Sequence, residues 1–145
     1  MTAHTPTVRQ LRLVIAVEDF DQAVAFYRDA LGLGELESFQ GEDDARVMIL
    51  NAGIATLEIS NPAQVRLIDR VEAEGQPSAK LRVAFEVDDS QQATDTLVAA
   101  GARLIASPRE TPWRSLNSRL EAPAGVQVTL FEELGLSTGG RPFRR

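Results

Sequence analysis

Apolar residues occupy every second position in two separate segments of the chain. These positions are Leu11, Leu13, Ile15 and Val17 in the first segment and Leu81, Val83, Phe85 and Val87 in the second. A period of two is typical of a β-strand with two different faces. Each segment is therefore predicted to be a strand with one apolar face, and Arg12 and Arg82 lie on the other face.

A helix is predicted after each of these strands. Asp19 and Asp89 stand where an N-cap belongs, and each is followed three positions later by a glutamine, which completes a capping pattern. Apolar residues then recur at helical spacing, as Val24, Tyr27 and Leu31 in the first segment and as Ala93, Leu97 and Ala100 in the second. Gly32 and Gly101 are expected to end the two helices in the left-handed conformation.

Three short strands are predicted after each helix, separated by turn residues. Their ranges are 34–40, 46–51 and 54–60 in the first half and 102–107, 115–121 and 126–132 in the second. The chain thus contains the order β-α-β-β-β twice. The predicted fold class is α+β, with two modules that form a curved, mixed, barrel-like sheet around a cavity.

The two modules are predicted to form a single domain. Asn61 and Pro62 mark the start of a helix in the segment between the modules, and Val65, Ile68 and Val71 give that helix an apolar stripe. The predicted boundaries are 9–134 for the domain, about 11–60 and 81–133 for the modules, 61–80 for the helical connector, and 1–8 and 135–145 for flexible tails.

Polar residues on the strands predict where a site would lie. If the helices pack on the apolar faces, the mixed faces meet on the other side of the sheet, where a strongly curved sheet encloses a cavity. The residues on these mixed faces include Arg12, Thr56, Glu58, Arg82, Gln127 and Thr129.

Composition excludes several kinds of chemistry. The 145 residues carry a formal net charge of −6, which argues against nucleic-acid binding. The chain has no cysteine and a single histidine, His4, so thiol nucleophiles, histidine triads and multi-histidine metal sites are absent from it. No apolar stretch is long enough to span a membrane and no signal peptide is visible, so a cytoplasmic protein without membrane contact is expected.

The segment from Val17 to Leu33 carries a family resemblance. It contains the pattern D-x-x-x-A-x-x-F-Y-x-x-x-L-G between Asp19 and Gly32, and the later segments 111–113 (Thr-Pro-Trp) and 122–125 (Ala-Pro-Ala-Gly) fit the same family. With its doubled β-α-β-β-β order, the chain closely resembles the vicinal oxygen chelate superfamily of glyoxalases, bleomycin-resistance proteins and ring-cleaving dioxygenases. The resemblance covers about residues 9–134.

The resemblance also implies where a metal ion would be bound. Metal-dependent members hold a divalent ion with four side chains, typically His, Glu, His and Glu, one on the first and one on the last strand of each module. The corresponding positions here are Arg12, Glu58, Arg82 and Thr129. Since arginine stays protonated and has no lone pair to donate, only Glu58 is a plausible ligand. No catalytic metal and no other cofactor is expected.

Two interpretations of the arginines remain open. Arg12 and Arg82 could form a clamp for an anionic small molecule, with Glu58 and Thr129 as further contacts, or they could pair with Glu58 and Glu86 inside the cavity. Three other side chains are candidates for contact with a ligand. Trp113 could cover the cavity from a loop, and Asn117 and Arg119 could face it from a strand.

Three functions are consistent with these residues. The first is binding of a small, anionic organic molecule without metal, and the second is a metal-free lyase or isomerase that uses Glu58 as its base. The third is an interaction module whose cavity is vestigial. The resemblance further implies a homodimer, although it does not say whether modules pair within or between chains.

Overall fold

A computed structural model describes residues 5–135 of the chain. Its strands are β1 (Val8–Ala16), β2 (Gly34–Gln40), β3 (Arg46–Ala52), β4 (Ala55–Ser60), β5 (Leu81–Val87), β6 (Arg103–Glu110), β7 (Ser115–Glu121) and β8 (Gln127–Glu133). Its helices are α1 (Phe20–Val24, extended by a π-helical segment Ala25–Ala30), α2 (Pro62–Ala73) and α3 (Ser90–Ala99). Most of the predicted C-terminal tail lies outside the described residues.

All eight strands form one sheet in the order β2-β3-β4-β1-β5-β8-β7-β6. β1 runs parallel to β4 and β5 runs parallel to β8, whereas β1 and β5 are antiparallel and join the two modules at the centre. The sheet is therefore mixed, and each module contributes four neighbouring strands. The predicted α+β class and the doubled β-α-β-β-β order are confirmed.

The pairing of β1 with β5 gives the two modules equivalent positions. Arg12 lies opposite Ala84, and Val14 lies opposite Arg82. On the outer sides of this pair, Val14 is opposite Glu58 of β4 and Ala84 is opposite Thr129 of β8. Thr129 therefore has in the second module the position that Glu58 has in the first.

The predicted helix starts are present, and each depends on a side-chain cap. The carboxylates of Asp19 and Asp89 accept hydrogen bonds from the backbone N–H groups of Gln22 and Gln92, at 3.0 and 2.9 Å. Asn61 caps α2 in the same way, with Pro62 at the first helical position.

The first helix differs from the uniform α-helix that the sequence predicts. After Val24 it widens to a π-helical turn, in which the N–H of Leu31 donates to the carbonyl of Phe26. The wider turn changes which residues face the sheet, so Leu31, expected on the apolar face, is 60% exposed. Tyr27 still packs against the core of the first module.

The helices lie on opposite faces of the sheet. α1 and α3 cover the convex face, where they pack on the apolar side chains of their own modules. α2 lies on the concave face, where it contacts β3 and β4 of the first module and β6 and β7 of the second. The connector therefore fills part of the hollow that the strand pattern predicts. Within residues 5–135, every helix is too short or too polar to cross a bilayer.

Candidate functional site

A cavity of about 120 Å³ lies between the concave face of the sheet and α2. Of the seven candidate residues proposed from the sequence, all but Arg119 line it, namely Arg12, Glu58, Arg82, Trp113, Asn117 and Thr129. They come from both modules and from the turn between β6 and β7. Apolar side chains, including Val14, Ile49, Ile68 and Phe131, complete its wall.

Arg12 is held from three sides at the centre of the sheet. Its Nε donates to Oε1 of Gln10 at 2.6 Å, and its NH1 lies 3.5 Å from Oε1 of Glu58. Its guanidinium carbon also lies 4.8 Å from the centre of the Phe131 ring, a cation–π distance. The contact with Glu58 is an ion pair, but it is longer than an ordinary hydrogen bond.

Arg82 occupies the equivalent place in the second module and has different partners. Its NH1 donates to Oγ1 of Thr129 at 2.7 Å and lies 3.9 Å from Oε2 of Glu72. Because Thr129 stands where the first module has Glu58, the carboxylate that pairs with Arg82 comes from α2. Glu86, the partner considered in the sequence analysis, is buried on the same face of β5 but does not line the cavity.

Glu72 is the centre of a buried polar network. Its carboxylate accepts hydrogen bonds from Nδ2 of Asn117 and Nε of Arg119, both at 2.9 Å, and from Oγ1 of Thr129 at 2.6 Å. Burial by itself would raise the pKa of Glu72. The charges of Arg82 and Arg119 and the hydrogen bonds outweigh burial, so its pKa is lowered and the group stays ionised.

The sequence analysis missed Glu72 because it assigned α2 an apolar stripe of Val65, Ile68 and Val71. Only Ile68 of these three is fully buried, and the buried face of the helix also includes Gln64, Asp69, Glu72 and Ala73. The spacing of Asp69 and Glu72, which puts two carboxylates beside Ile68, is the signal that could have identified this polar face.

Arg119 has a structural role at the edge of this network. Besides Glu72, its guanidinium donates to Oδ1 of Asp69 at 2.9 Å and to the carbonyl oxygen of Gln76 at 3.2 Å. It is completely buried and does not line the cavity. The strand alternation placed Asn117 and Arg119 on the correct face, but only Asn117 reaches the cavity.

The opening of the cavity combines aromatic and acidic side chains. Phe39 and Trp113 are 54% and 45% exposed, and Glu133 is partly exposed beside them. Glu37 lies on β2, two residues before Phe39. Burial raises the pKa of Glu37, Arg12 opposes that shift and Glu133 adds to it.

The residues at the family's metal positions do not fit a divalent ion. Arg12 pairs with Glu58, and Arg82 hydrogen-bonds to Thr129, so the four side chains interact with one another in twos. Neither guanidinium has a lone pair to donate, and Thr129 already donates to Glu72. Within residues 5–135 no cluster of three or more His, Cys, Asp or Glu could hold a metal.

The two β-α-β-β-β modules share one sheet, and both contribute residues to the wall of one cavity. The chain matches the model of the Glyoxalase/Bleomycin resistance protein/Dioxygenase superfamily over residues 9–130, and it belongs to that superfamily. No functionally curated protein shows significant sequence similarity to it.

Solved structures confirm the fold. Methylmalonyl-CoA epimerase from Mycobacterium tuberculosis is 21% identical, with 92% of this chain and 94% of that chain covered and a TM-score of 0.65. A hypothetical protein from Bacillus halodurans is 15% identical, with 94% and 100% covered and a TM-score of 0.67. A superfamily member from Vibrio splendidus is 12% identical, with 88% and 100% covered and a TM-score of 0.59. These similarities concern the architecture alone.

Proposed function

We propose that the protein binds a small organic molecule through a carboxylate or similar anionic group in the cavity, without a catalytic metal. The observation that carries the proposal is the position of Arg82 in the cavity wall together with its few internal hydrogen bonds. Its guanidinium has five N–H donors, and its only hydrogen bond to residues 5–135 goes to Thr129. It nevertheless lines the cavity at 7% exposure, so most of its donors are available to a bound molecule.

The lengths of the ion pairs separate binding arginines from structural ones. Arg119 lies 2.9 Å from both of its carboxylate partners, whereas Arg12 and Arg82 lie 3.5 and 3.9 Å from theirs. A pair without a short hydrogen bond has less to lose when a ligand oxygen replaces the carboxylate. The interpretation as internal pairs needs one correction, because the carboxylate that pairs with Arg82 is Glu72 and not Glu86. The length of the two pairs supports the proposal that a ligand oxygen competes with these carboxylates.

A titration with propionate tests this function. The single tryptophan of the chain, Trp113, lines the cavity and serves as a fluorescence reporter. Propionate should change its emission in a saturable way, and Arg82→Met should abolish that response. Arg109→Met, which removes a surface arginine paired with Glu74, is the matched control and should respond like the wild type.

Chloride at the same ionic strength excludes a general salt effect. If propionate produces no saturable change, or if the Arg82→Met protein responds as the wild type does, the binding proposal fails. The reading of the chain as an interaction module with a vestigial cavity would then be the better one.

A metal-free enzyme with Glu58 as base is the second candidate. Among residues 5–135 the carboxylate of Glu58 receives no hydrogen bond, and its ion pair with Arg12 is long, so its oxygens are available. Glu58 would take a proton from the carbon beside a carbonyl group. The electron pair would move to the carbonyl oxygen beside the Arg82 donors. The carboxyl group of Glu58 would then exchange its proton with solvent and give a solvent proton back to the carbon, as the electron pair returns from the oxygen.

Structures similar in fold suggest a substrate for testing this reaction, because methylmalonyl-CoA epimerases are among them. Methylmalonyl-CoA incubated with the protein in D₂O should gain deuterium at its α-carbon faster than without protein, as measured by NMR. Glu58→Gln should remove the acceleration. No acceleration above the uncatalysed rate would argue against this activity on that substrate.

We also propose that the protein forms a homodimer through the central strands. Leu11 and Leu81 lie on the convex face of the central strands, between the parts covered by α1 and α3, and both are exposed. A second copy would remove these side chains from water. Sedimentation velocity should give a dimer for the wild type and a shift to monomer for Leu81→Glu, and a wild-type monomer at high concentration would contradict it.

A further inference from the structure

The cavity is too small to enclose a whole ligand of ordinary size. Its volume is about 120 Å³. Pockets that enclose a drug-sized molecule measure about 300–1,000 Å³. A ligand held here can place only a small head group inside, and any larger part of it must leave through the opening.

The wall of the cavity changes character between its interior and its opening. Polar groups in the interior are buried, and they include Arg82, Asn117 and Thr129. The most exposed lining residues are two aromatic ones, Phe39 from β2 and Trp113 from the turn between β6 and β7. A molecule that passes through the opening therefore meets an aromatic side chain from each module.

The turn that carries Trp113 is connected to the same network that builds the interior. Oγ1 of Thr111 and Oγ of Ser115 are 2.8 Å apart, so a hydrogen bond spans the turn that carries Trp113. Oγ of Ser115 donates to Oδ1 of Asn117 at 2.7 Å, and Asn117 donates to Glu72. The turn that carries Trp113 and the polar interior are thus connected by a continuous chain of hydrogen bonds.

We propose that the ligand is an amphipathic acid, with a small carboxylate head at Arg82 and a flat, uncharged tail against Phe39 and Trp113. This inference rests on the proposed binding function and adds the class of ligand. Burial of an aromatic ring and its edge or offset contacts with a flat partner both contribute favourable free energy of binding. A small aliphatic head alone cannot provide such contacts. Within residues 5–135 the ring–ring contact is between Phe26 and Tyr27, so a flat tail would give Phe39 and Trp113 a stacking partner.

The acidic residues at the opening restrict the tail further. Glu133 lines the opening, and Glu37 lies on the same strand as Phe39. Like charges at short range repel each other, so a second carboxylate at the end of the tail would weaken binding. The ligand class is therefore a monocarboxylic acid with an aromatic or conjugated tail, and not a dicarboxylic acid.

Ligand-observed NMR titrations with acetate and 3-phenylpropionate test this inference. The wild type should bind 3-phenylpropionate about tenfold more tightly than acetate, because the tail adds a buried ring and two aromatic contacts. The Phe39→Ala/Trp113→Ala protein should bind both acids with similar affinity, because the aromatic contacts with the tail are removed. A 3-phenylpropionate analogue with a carboxylate at the para position should lose most of this tenfold increase in affinity over acetate.

A matched control uses another exposed phenylalanine. Phe26 is 60% exposed and lies outside this cavity, so Phe26→Ala should keep the tenfold ratio. If acetate itself does not bind, the proposed binding function fails. If acetate binds but 3-phenylpropionate binds no better, or if the double variant keeps the ratio, the inference about the tail is wrong while the binding function stands.

Discussion

Three arginines on the concave face show how a residue's partners set its role. Arg119 is completely buried and bonds at short distance to Asp69 and Glu72, so its charge is committed to the structure. Arg12 and Arg82 have longer ion pairs and line the cavity. The same residue type is therefore a structural anchor at one position and a candidate ligand contact at the other two.

Glu72→Gln should destabilise the protein strongly. The substitution keeps the shape of the side chain but leaves Arg119 and Arg82 without their shared buried charge, and breaking a buried pair costs roughly 3–5 kcal/mol. Because the folded state lowers the pKa of Glu72, its contribution is complete above its unfolded pKa and is lost as the pH falls through its folded pKa. Urea unfolding of wild type and variant at neutral pH measures the loss.

Glu74→Gln is the control for this measurement. Glu74 lies two residues further on, is largely exposed and pairs with Arg109 at the surface, so the same change should cost less than about 1 kcal/mol. Equal losses for the two variants would show that Glu72 does not hold a buried charge network.

Glu37→Gln should change how stability depends on pH. Burial raises the pKa of Glu37 in the folded state, so the folded protein binds the extra proton more strongly than the unfolded chain. The free energy of unfolding then falls as the pH rises from the unfolded pKa to the folded pKa of Glu37. The variant lacks this decrease, and its stability relative to the wild type should therefore improve as the pH rises through that range.

Salt separates the causes of this effect. Burial is the largest contribution and is not screened, so the trend should persist in 0.5 M NaCl, whereas repulsion by Glu133 would be weakened. A relative stability that is flat with pH in either buffer would contradict the assigned burial of Glu37.

At the scale of elements, α2 depends on its N-cap residue, Asn61. The side chain of Asn61 accepts hydrogen bonds from the N–H groups of Gln64 and Arg46, at 2.8 and 2.9 Å, and donates to the carbonyl of Asp44 at 2.7 Å. Asn61→Ala should lose about 2–3 kcal/mol of stability in urea unfolding, because three bonds of a buried group are removed.

The cap of α3 provides the comparison for Asn61. Asp89 is exposed and accepts one hydrogen bond, from Gln92, so Asp89→Ala should cost only about 1 kcal/mol. If the two substitutions cost the same, the additional bonds of Asn61 to Asp44 and Arg46 contribute little to stability.

Local patterns in the sequence predicted most of the elements. Asp19, Asp89 and Asn61 mark helix starts by hydrogen bonds to nearby N–H groups, and alternation placed Arg12 and Arg82 on the correct face. Such features depend on residues that are close together in the sequence, so they can be predicted from the sequence alone.

Long-range contacts explain what the sequence did not predict. The polar face of α2 could not be predicted from the helix alone, because the partners of Glu72 lie on β7 and β8, far away in the sequence. The π-helical turn after Val24 was likewise not predicted, because the spacing of apolar residues in this segment fits a regular α-helix. The connector helix therefore supplied the carboxylate that the second module lacks at Thr129.

At the scale of the whole molecule, the two modules place equivalent residues around one centre without being chemically equal. The antiparallel pairing of β1 and β5 brings Arg12 and Arg82 onto neighbouring strands at diagonal positions, roughly 7–8 Å apart at their backbones. Glu58 and Thr129 flank them at matching positions. Four positions that are equivalent in the two modules thus surround one centre. If the proposed function holds, the identity of these side chains determines that the site takes an organic anion and not a metal ion.

Replacing both arginines by histidine should therefore create a metal site. In Arg12→His/Arg82→His, two imidazoles and Glu58 provide three ligands of the kind that bind Zn²⁺. Calorimetric titration with Zn²⁺ should show about one ion bound per double-variant chain and none by the wild type. Arg103→His/Arg109→His places two histidines on β6 outside the cavity, controls for adventitious binding and should show no stoichiometric site. A stoichiometric ion in the wild-type cavity would contradict the metal-free proposal, and a folded double variant without binding would show that these positions do not converge on a common point.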